Sequence, residues 1–242
     1  MYVKSLRSMS VFISSCIFST LLASGVQAGT VNWTTWNYPQ VTGLTTGSAT
    51  GSTSDVGVSY SGNVTYPNQI GGFVWLPTTT FSGGTVSNAP PSPYTEITLT
   101  GGTGTGTNTI TFSEPVLNPV LAIASLGQGG ITAQFVFNSN EPFTIQAGGP
   151  SANFGGSSIY LCSALVVCGQ EGSGVIQFSG AYKSLSWTNP TYENYYLITV
   201  GDQGLAPTTT PLPAALPLFG SGLLGLMALG RRRKATAARL AI

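Results

Sequence analysis

The 242-residue chain contains no histidine, so it lacks the usual base of serine and cysteine hydrolases and the commonest transition-metal ligand. It has no Gly-x-Ser-x-Gly nucleophile elbow either. Acid–base chemistry would rest on seven carboxyl groups: Asp55, Glu96, Glu114, Glu141, Glu171, Glu193 and Asp202. A glycosidase needs only two acids flanking a glycosidic bond, and Glu171 with Glu193 is the pair to consider. The competing reading makes both of them loop residues that accept hydrogen bonds from backbone amides. No catalytic residue is assigned on this basis, and the expected role is not enzymatic. Jelly rolls can hold calcium through a few carboxylates and carbonyl oxygens, and Asp55, Glu171 and Asp202 could contribute. No Asp-x-Asp cluster is present, so neither a metal nor another cofactor is expected.

The run Gly101-Gly102-Thr103-Gly104-Thr105-Gly106 has the composition of a phosphate-cradling loop. Such a loop must lead into a helix, whereas 108–112 reads as a strand, so a hairpin loop is expected. Asn32-Trp33-Thr34 and Asn63-Val64-Thr65 match the glycosylation sequon, a three-residue pattern that carries little information by itself.

Cys162 and Cys168 are the two cysteines outside the N-terminal apolar run, which holds Cys16. In an oxidising compartment a disulfide is the default for such a pair, and without histidine a metal site has nothing to complete it. Closing this short loop restricts the unfolded chain by roughly 2.4 kcal/mol.

Aromatic side chains supply the one binding signal. Trp33, Trp36, Trp75 and Trp187 all fall between the two ends of the chain. Residues three apart on a regular strand face opposite sides, so Trp33 and Trp36 cannot both enter one core; one faces solvent or is covered by another segment. Tyr38 shares the face of Trp36, and the two form a candidate stacking platform for a glycan. The alternative is that these rings are core residues.

Short alternating runs bounded by Gly, Pro and Asn must position these groups. Ile97 with Leu99, Ile110 with Phe112, Phe135 with Phe137, Ile176 with Phe178, and Leu185 with Trp187 repeat with period two. Further candidates at 31–37, 56–66, 116–125, 143–147, 159–167 and 195–200 bring the total to about eleven strands. No comparable helical run precedes residue 214. The pattern predicts an all-β fold, an antiparallel β-sandwich or jelly roll, within one domain at 29–205. Two Thr- and Gly-rich stretches, 42–54 and 100–109, are expected to be long hairpin loops or edge strands. A domain of 177 residues buries roughly 70% of its unfolded-chain surface.

Charge is segregated. Between residues 29 and 210, Lys183 is the single basic residue against all seven acids. Phosphate neutralisation needs a basic patch, so nucleic-acid binding is excluded.

Both ends read as targeting segments. Lys4 and Arg7 precede an apolar run at 11–23, and Val26-Gln27-Ala28 supplies a cleavage-like site, giving a secretory signal peptide at 1–28. At the other end, a stalk and motif at 206–213 lead into an apolar segment at 214–230 and a basic tail at 231–242. At about 1.5 Å per residue the apolar segment extends roughly 26 Å, within the range for a single transmembrane helix. Arg231, Arg232, Arg233 and Lys234 then act as a membrane stop, leaving everything before residue 214 outside the cytoplasm.

This tail resembles the PEP-CTERM family of bacterial surface-sorting signals, most closely its Val-Pro-Leu-Pro-Ala variant. The motif falls on Pro211, Leu212, Pro213 and Ala214, with Thr210 where the variant has Val and Leu212 where the commoner form has Glu. The resemblance implies processing by an exosortase, a membrane-embedded protease, after signal peptidase and with a membrane-bound intermediate; an unprocessed single-span anchor is the alternative. Two further segments, 112–121 leading to Ser125-Leu126-Gly127 and 169–180 leading to Ser186-Trp187-Thr188, resemble a domain found upstream of such tails. That context implies a surface or biofilm-matrix protein associated with exopolysaccharide, either retained in the cell envelope or released. The leading expectation is a structural or adhesive role. A carbohydrate-binding module is second, to be recognised by an exposed aromatic row over a groove. A carbohydrate-active hydrolase is third, to be recognised by two acids converging in a cleft.

Overall fold

The computed structural model describes residues 28–37, 40–41, 46–64, 74–93, 95–102, 106–138 and 140–207. Residues 1–27 of the expected signal peptide, Tyr38, the expected sorting motif at 211–214, the apolar segment and the basic tail lie outside these residues. Among the described residues, no helix is long and apolar enough to cross a membrane. The single helical piece among the described residues is a 3-10 turn at Thr78–Thr80.

The described residues form sixteen strands. In chain order these are β1 (Asn32–Trp33), β2 (Thr35–Trp36), β3 (Gln40–Val41), β4 (Gly47–Ser52), β5 (Gly57–Gly62), β6 (Ile97–Gly101), β7 (Thr107–Leu117) and β8 (Val120–Leu126). There follow β9 (Ala133–Phe137), β10 (Phe143–Gly148), β11 (Ser157–Ser158), β12 (Tyr160–Ser163), β13 (Val166–Gly169), β14 (Gly172–Phe178), β15 (Ala181–Thr188) and β16 (Glu193–Asp202). They make two sheets. The larger runs β12-β13-β9-β15-β7-β5-β4-β2, with β3 also on β4. The smaller runs β1-β16-β8-β14-β10, with β6 also on β16 and β11 beside β14. Every pairing is antiparallel except β11 with β14. The fold is therefore all-β with two antiparallel sheets.

Strand β7 shows why period two was readable. Asn108, Ile110 and Phe112 point inward while Thr109, Thr111 and Ser113 do not. The rings of Phe135, Phe137, Trp187, Phe178 and Tyr196 meet in the interior between the sheets, with Phe135 and Tyr196 centroids 4.9 Å apart. Edge-on contacts of this kind contribute about 0.5–1.5 kcal/mol each beyond area burial.

The smaller sheet departs from a plain two-layer expectation. All of β8 and β14 is buried. Leu121, Ile123, Ile176 and Phe178 face the interior, whereas Val120, Ala122, Ala124 and Val175 face a second cluster with Trp33, Trp75, Phe81 and Val86. Residues 74–89 thus cover the outer face. The small side chains of Ala122 and Ala124 leave room for Trp75 and Phe81, whose rings meet edge-on at 5.1 Å. A strand buried on both faces loses its alternation and reads as the continuous run at 120–124.

As expected, Trp33 and Trp36 do not share one core, and Trp33 is the ring covered by another segment, residues 74–89. The exposed platform expected at Trp36 is what needs correction. Both are buried, at 8% and 5% exposure, because 31–37 is not one regular strand. It changes sheets at Thr34: β1 pairs with β16 of the smaller sheet and β2 with β4 of the larger. Trp33 thereby joins the outer cluster and Trp36 the interior, where its Nε1 donates to Thr199 Oγ1 at 3.2 Å. Trp36 has no open face on which a sugar could stack, and Tyr38 lies outside the described residues. The stretch expected as a loop or edge at 42–54 also contains β4, which lies between β5 and β2.

Cys162 and Cys168 are joined in a disulfide, with Cα atoms 5.9 Å apart across the β12–β13 hairpin. A buried polar chain ties the sheets near one end. Tyr60 and the backbone N–H of Asn63 donate to Asn108 Oδ1, Asn108 donates to Asn189, and Asn189 Nδ2 donates to the Thr100 carbonyl at 2.6 Å.

Candidate functional site: a bulged cleft at one end of the smaller sheet

Two bulges on neighbouring strands open this cleft. On β8, Ile123 pairs with Gly174 and Leu126 with Gly172, so β8 carries one residue more than its partner. Ser125 absorbs the excess at φ 62°, its N–H donating to Ser173 Oγ at 3.1 Å. On β16, Glu193 pairs with Gly101 and Tyr196 with Leu99, so the extra residue falls at Asn194 and Tyr195. Bulges of this kind end regular pairing and re-aim side chains. The first turns the Ser125 hydroxyl onto Glu171 Oε2 at 2.5 Å. The second turns Tyr195 outward, 39% exposed, while the adjacent Tyr196 stays buried.

The cleft encloses about 380 Å³. Its lining includes Ser125, Asn153, Phe154, Glu171, Glu193 and Tyr195. The Phe154 and Tyr195 rings lie 6.0 Å apart at 61°, forming an aromatic corner. Asn194, Gln128 and Asn153 add amide groups that can both donate and accept.

The candidate pair Glu171 and Glu193 is thus brought into one recess, from the β13–β14 turn and the start of β16. Glu171 is half-buried and holds a left-handed backbone at φ 51°. Two non-glycine residues at positive φ, Ser125 and Glu171, linked by one hydrogen bond, concentrate backbone strain at this site. Glu193 is only 2% exposed; its Oε2 accepts from the Gly127 N–H at 2.9 Å. Its Oε1 is buried without a hydrogen-bond partner among the described residues. Burial pushes the Glu193 carboxyl up to about 8; the Gly127 N–H opposes this and the nearby Glu171 charge adds to it.

The other acids are dispersed. Asp202 lies at the opposite end of β16 from Glu193, roughly 30 Å away along the strand. Asp55 sits in the β4–β5 turn, beside the Ser54 hydroxyl. The trio Asp55, Glu171 and Asp202 is therefore not brought together. The two oxygens of Glu141 share the Ser186 N–H in one bifurcated hydrogen bond. A larger recess of about 560 Å³, lined by Trp75, Leu76, Thr78, Asn88 and Pro91 among others, carries no titratable side chain among the described residues.

Sequence reasoning missed Ser125, Phe154, Asn194 and Tyr195. A signal existed for Tyr195: adjacent tyrosines on a strand must face opposite sides, so the pair Tyr195-Tyr196 presents one ring outward.

Glu96 provides a pH test separate from the cleft. Its side chain is 1% exposed, and burial lifts its carboxyl from the ordinary 4.5 to about 7 against the hydrogen bonds of its own and the Thr95 backbone N–H. With the folded pKa raised, the native state holds the proton longer. The stability it contributes is nearly full at about pH 4.5, falls as pH rises toward 7, and levels off above, by roughly 3 kcal/mol. Urea unfolding at pH 4.5 and 7.5 should show this loss in the native chain and a smaller one in Glu96→Gln. Equal losses in the two would contradict the assignment.

Comparison of the chain with protein-family models, with curated proteins and with solved structures yields no match.

Proposed function

We propose that this is an exported bacterial surface or matrix protein whose β-sandwich, of jelly-roll type, holds exopolysaccharide in the bulged cleft. Export through the signal at 1–28 and sorting by an exosortase-type protease at Pro211, Leu212, Pro213 and Ala214 deliver it. The role is adhesive or structural. The observation that carries the ligand is the aromatic corner of Phe154 and Tyr195 beside Asn153, Asn194 and two carboxyl groups. Flat rings offer apolar faces to sugar C–H groups while amides and carboxylates take up the hydroxyls, the combination a concave polar-ligand site requires. The Trp36 and Tyr38 platform is replaced in this role by Tyr195 and Phe154.

Hydrolysis is the weaker use of the same groups. Two acids do converge here, but a general acid must touch the glycosidic oxygen, and Glu193 is nearly closed to solvent with Oε1 fully covered. Retention of a polysaccharide needs only the exposed wall.

Tyr195→Ala is expected to reduce retention on the producing cell's own exopolysaccharide by about tenfold or more. The same change should cost about 1 to 2 kcal/mol, from the edge-on contact with Phe154 and the covered part of the ring, which leaves the fold intact for the retention measurement. Unchanged retention would remove the cleft from the glycan role. Delivery is tested separately by intact-mass analysis of surface-released protein, which should find a chain beginning near Gly29 and ending near Pro211. Recovery of residues 214–242 in every mature molecule would leave a plain membrane anchor.

A further inference from the structure

We propose that Glu171 and Glu193 hold a calcium ion at the floor of the cleft, with the Ser125 hydroxyl and the neighbouring side-chain amide oxygens as neutral donors. Two carboxyl groups line one recess with no cationic side chain among its lining residues. Like charges so placed repel, and a cation between them removes the repulsion. The second observation is independent of that clustering. Glu193 is 98% buried and lines the cleft, yet its Oε1 has no hydrogen-bond partner among the described residues. A buried carboxyl oxygen left unpaired is costly, and an unpaired Oε1 on a residue that lines the recess together with Glu171, its Oε2 already satisfied by Gly127, fits a missing metal bond. Glu96 also buries an unpartnered oxygen but does not line this cleft.

The donor set selects the ion. It offers only oxygen: carboxylates from Glu171 and Glu193, a hydroxyl from Ser125, and amide oxygens from Asn153, Asn194 and Gln128. The chain has no histidine, and Cys162 and Cys168 are consumed in their disulfide, so the soft and imidazole donors that favour zinc or copper are absent from the cleft. Calcium accepts irregular sets of six to eight oxygens, whereas magnesium demands near-octahedral geometry and keeps its waters. Donors from two bulged strands and two loops form an irregular set. With two carboxylates the affinity falls in the millimolar range of extracellular calcium modules, which suits an exported protein. The ion would brace the β8 and β16 bulges against the β13–β14 turn, beneath the aromatic corner. The site does not depend on the glycan reading, and its test contains no polysaccharide.

Thermal melting of the full chain in 10 mM CaCl2 should exceed that in EGTA by about 3–6 °C, the shift expected for a millimolar site on a chain of this size. Glu171→Gln, at a half-buried position, should abolish the shift, and Glu114→Gln, an exposed acid on β7, should retain it. Terbium luminescence sensitised by Tyr195 reports binding without reference to stability; it should be displaced by calcium and be lost in Glu171→Gln. A calcium shift that survives Glu171→Gln, or the absence of both shift and luminescence, would overturn the site. An equal shift in 10 mM MgCl2 would overturn the assignment to calcium.

Discussion

Replacing Trp36 by Ala is expected to destabilise the fold by about 3 to 5 kcal/mol. Trp36 is 5% exposed and packs in the interior cluster that also contains Ala49, Val58 and Phe112. Its indole spans the sandwich, because β2 belongs to the larger sheet while the Thr199 hydroxyl that accepts its N–H belongs to β16 of the smaller. Removing the ring leaves a cavity and takes away the donor to a hydroxyl that is itself fully buried. For a chain of this size each kcal/mol is worth about 2–4 °C, so the melting temperature should fall by roughly 6 to 20 °C. Trp36→Phe, which keeps most of the volume, should lose appreciably less. Polysaccharide retention by the folded fraction of Trp36→Ala should be unchanged, because the ring is remote from solvent. Normal stability together with lost retention would reverse the assignment and restore an exposed stacking role.

The second large effect is expected at Gly127, which joins β8 to the cleft. Its φ is +82°, a backbone conformation that L-residues rarely adopt. A Cβ at this position would stand 2.2 Å from the Gly169 carbonyl oxygen and 2.8 Å from that of Ile131. Both obstacles are backbone, so neither can rotate away. Gly127→Ala should therefore cost about 2 to 5 kcal/mol, combining left-handed strain with overpacking. The same shift would pull the Gly127 N–H away from Glu193 Oε2 and leave the buried carboxyl with neither oxygen satisfied. Urea denaturation gives the stability loss. Denaturation midpoints within about 0.5 kcal/mol of the native chain would show that the bulge can relax and that its geometry is not imposed by this glycine.

These two residues mark what the sequence makes legible. Period two at Ile110 and Phe112, or at Phe135 and Phe137, exposed the half-buried strands, because one face of each meets the core and the other does not. The class and the antiparallel arrangement follow from those runs. Glu171 with Glu193 was named from the sequence as one candidate pair among seven acids, with no feature that singled it out, and the recess that unites them was not legible there. Bulges at Ser125 and Asn194–Tyr195 create that recess, and a one-residue insertion in register has no compositional signature. Trp36 misled for a related reason. Face assignment holds only while a strand is regular, and the switch between sheets at Thr34 gives each ring its own apolar cluster. The cover formed by residues 74–89 was equally hidden, since irregular backbone carries no period to read.

The central claim, that the bulged cleft retains exopolysaccharide, is tested most directly by amide chemical-shift mapping of the isotope-labelled protein titrated with oligosaccharides from the producing cell's own polymer. The account predicts saturable shifts centred on Ser125, Gly127, Asn153, Phe154, Glu171, Asn194 and Tyr195, with the amides around Trp36 unmoved. Shifts centred on the recess at Trp75 and Asn88, or no saturable shifts at millimolar saccharide, would contradict it.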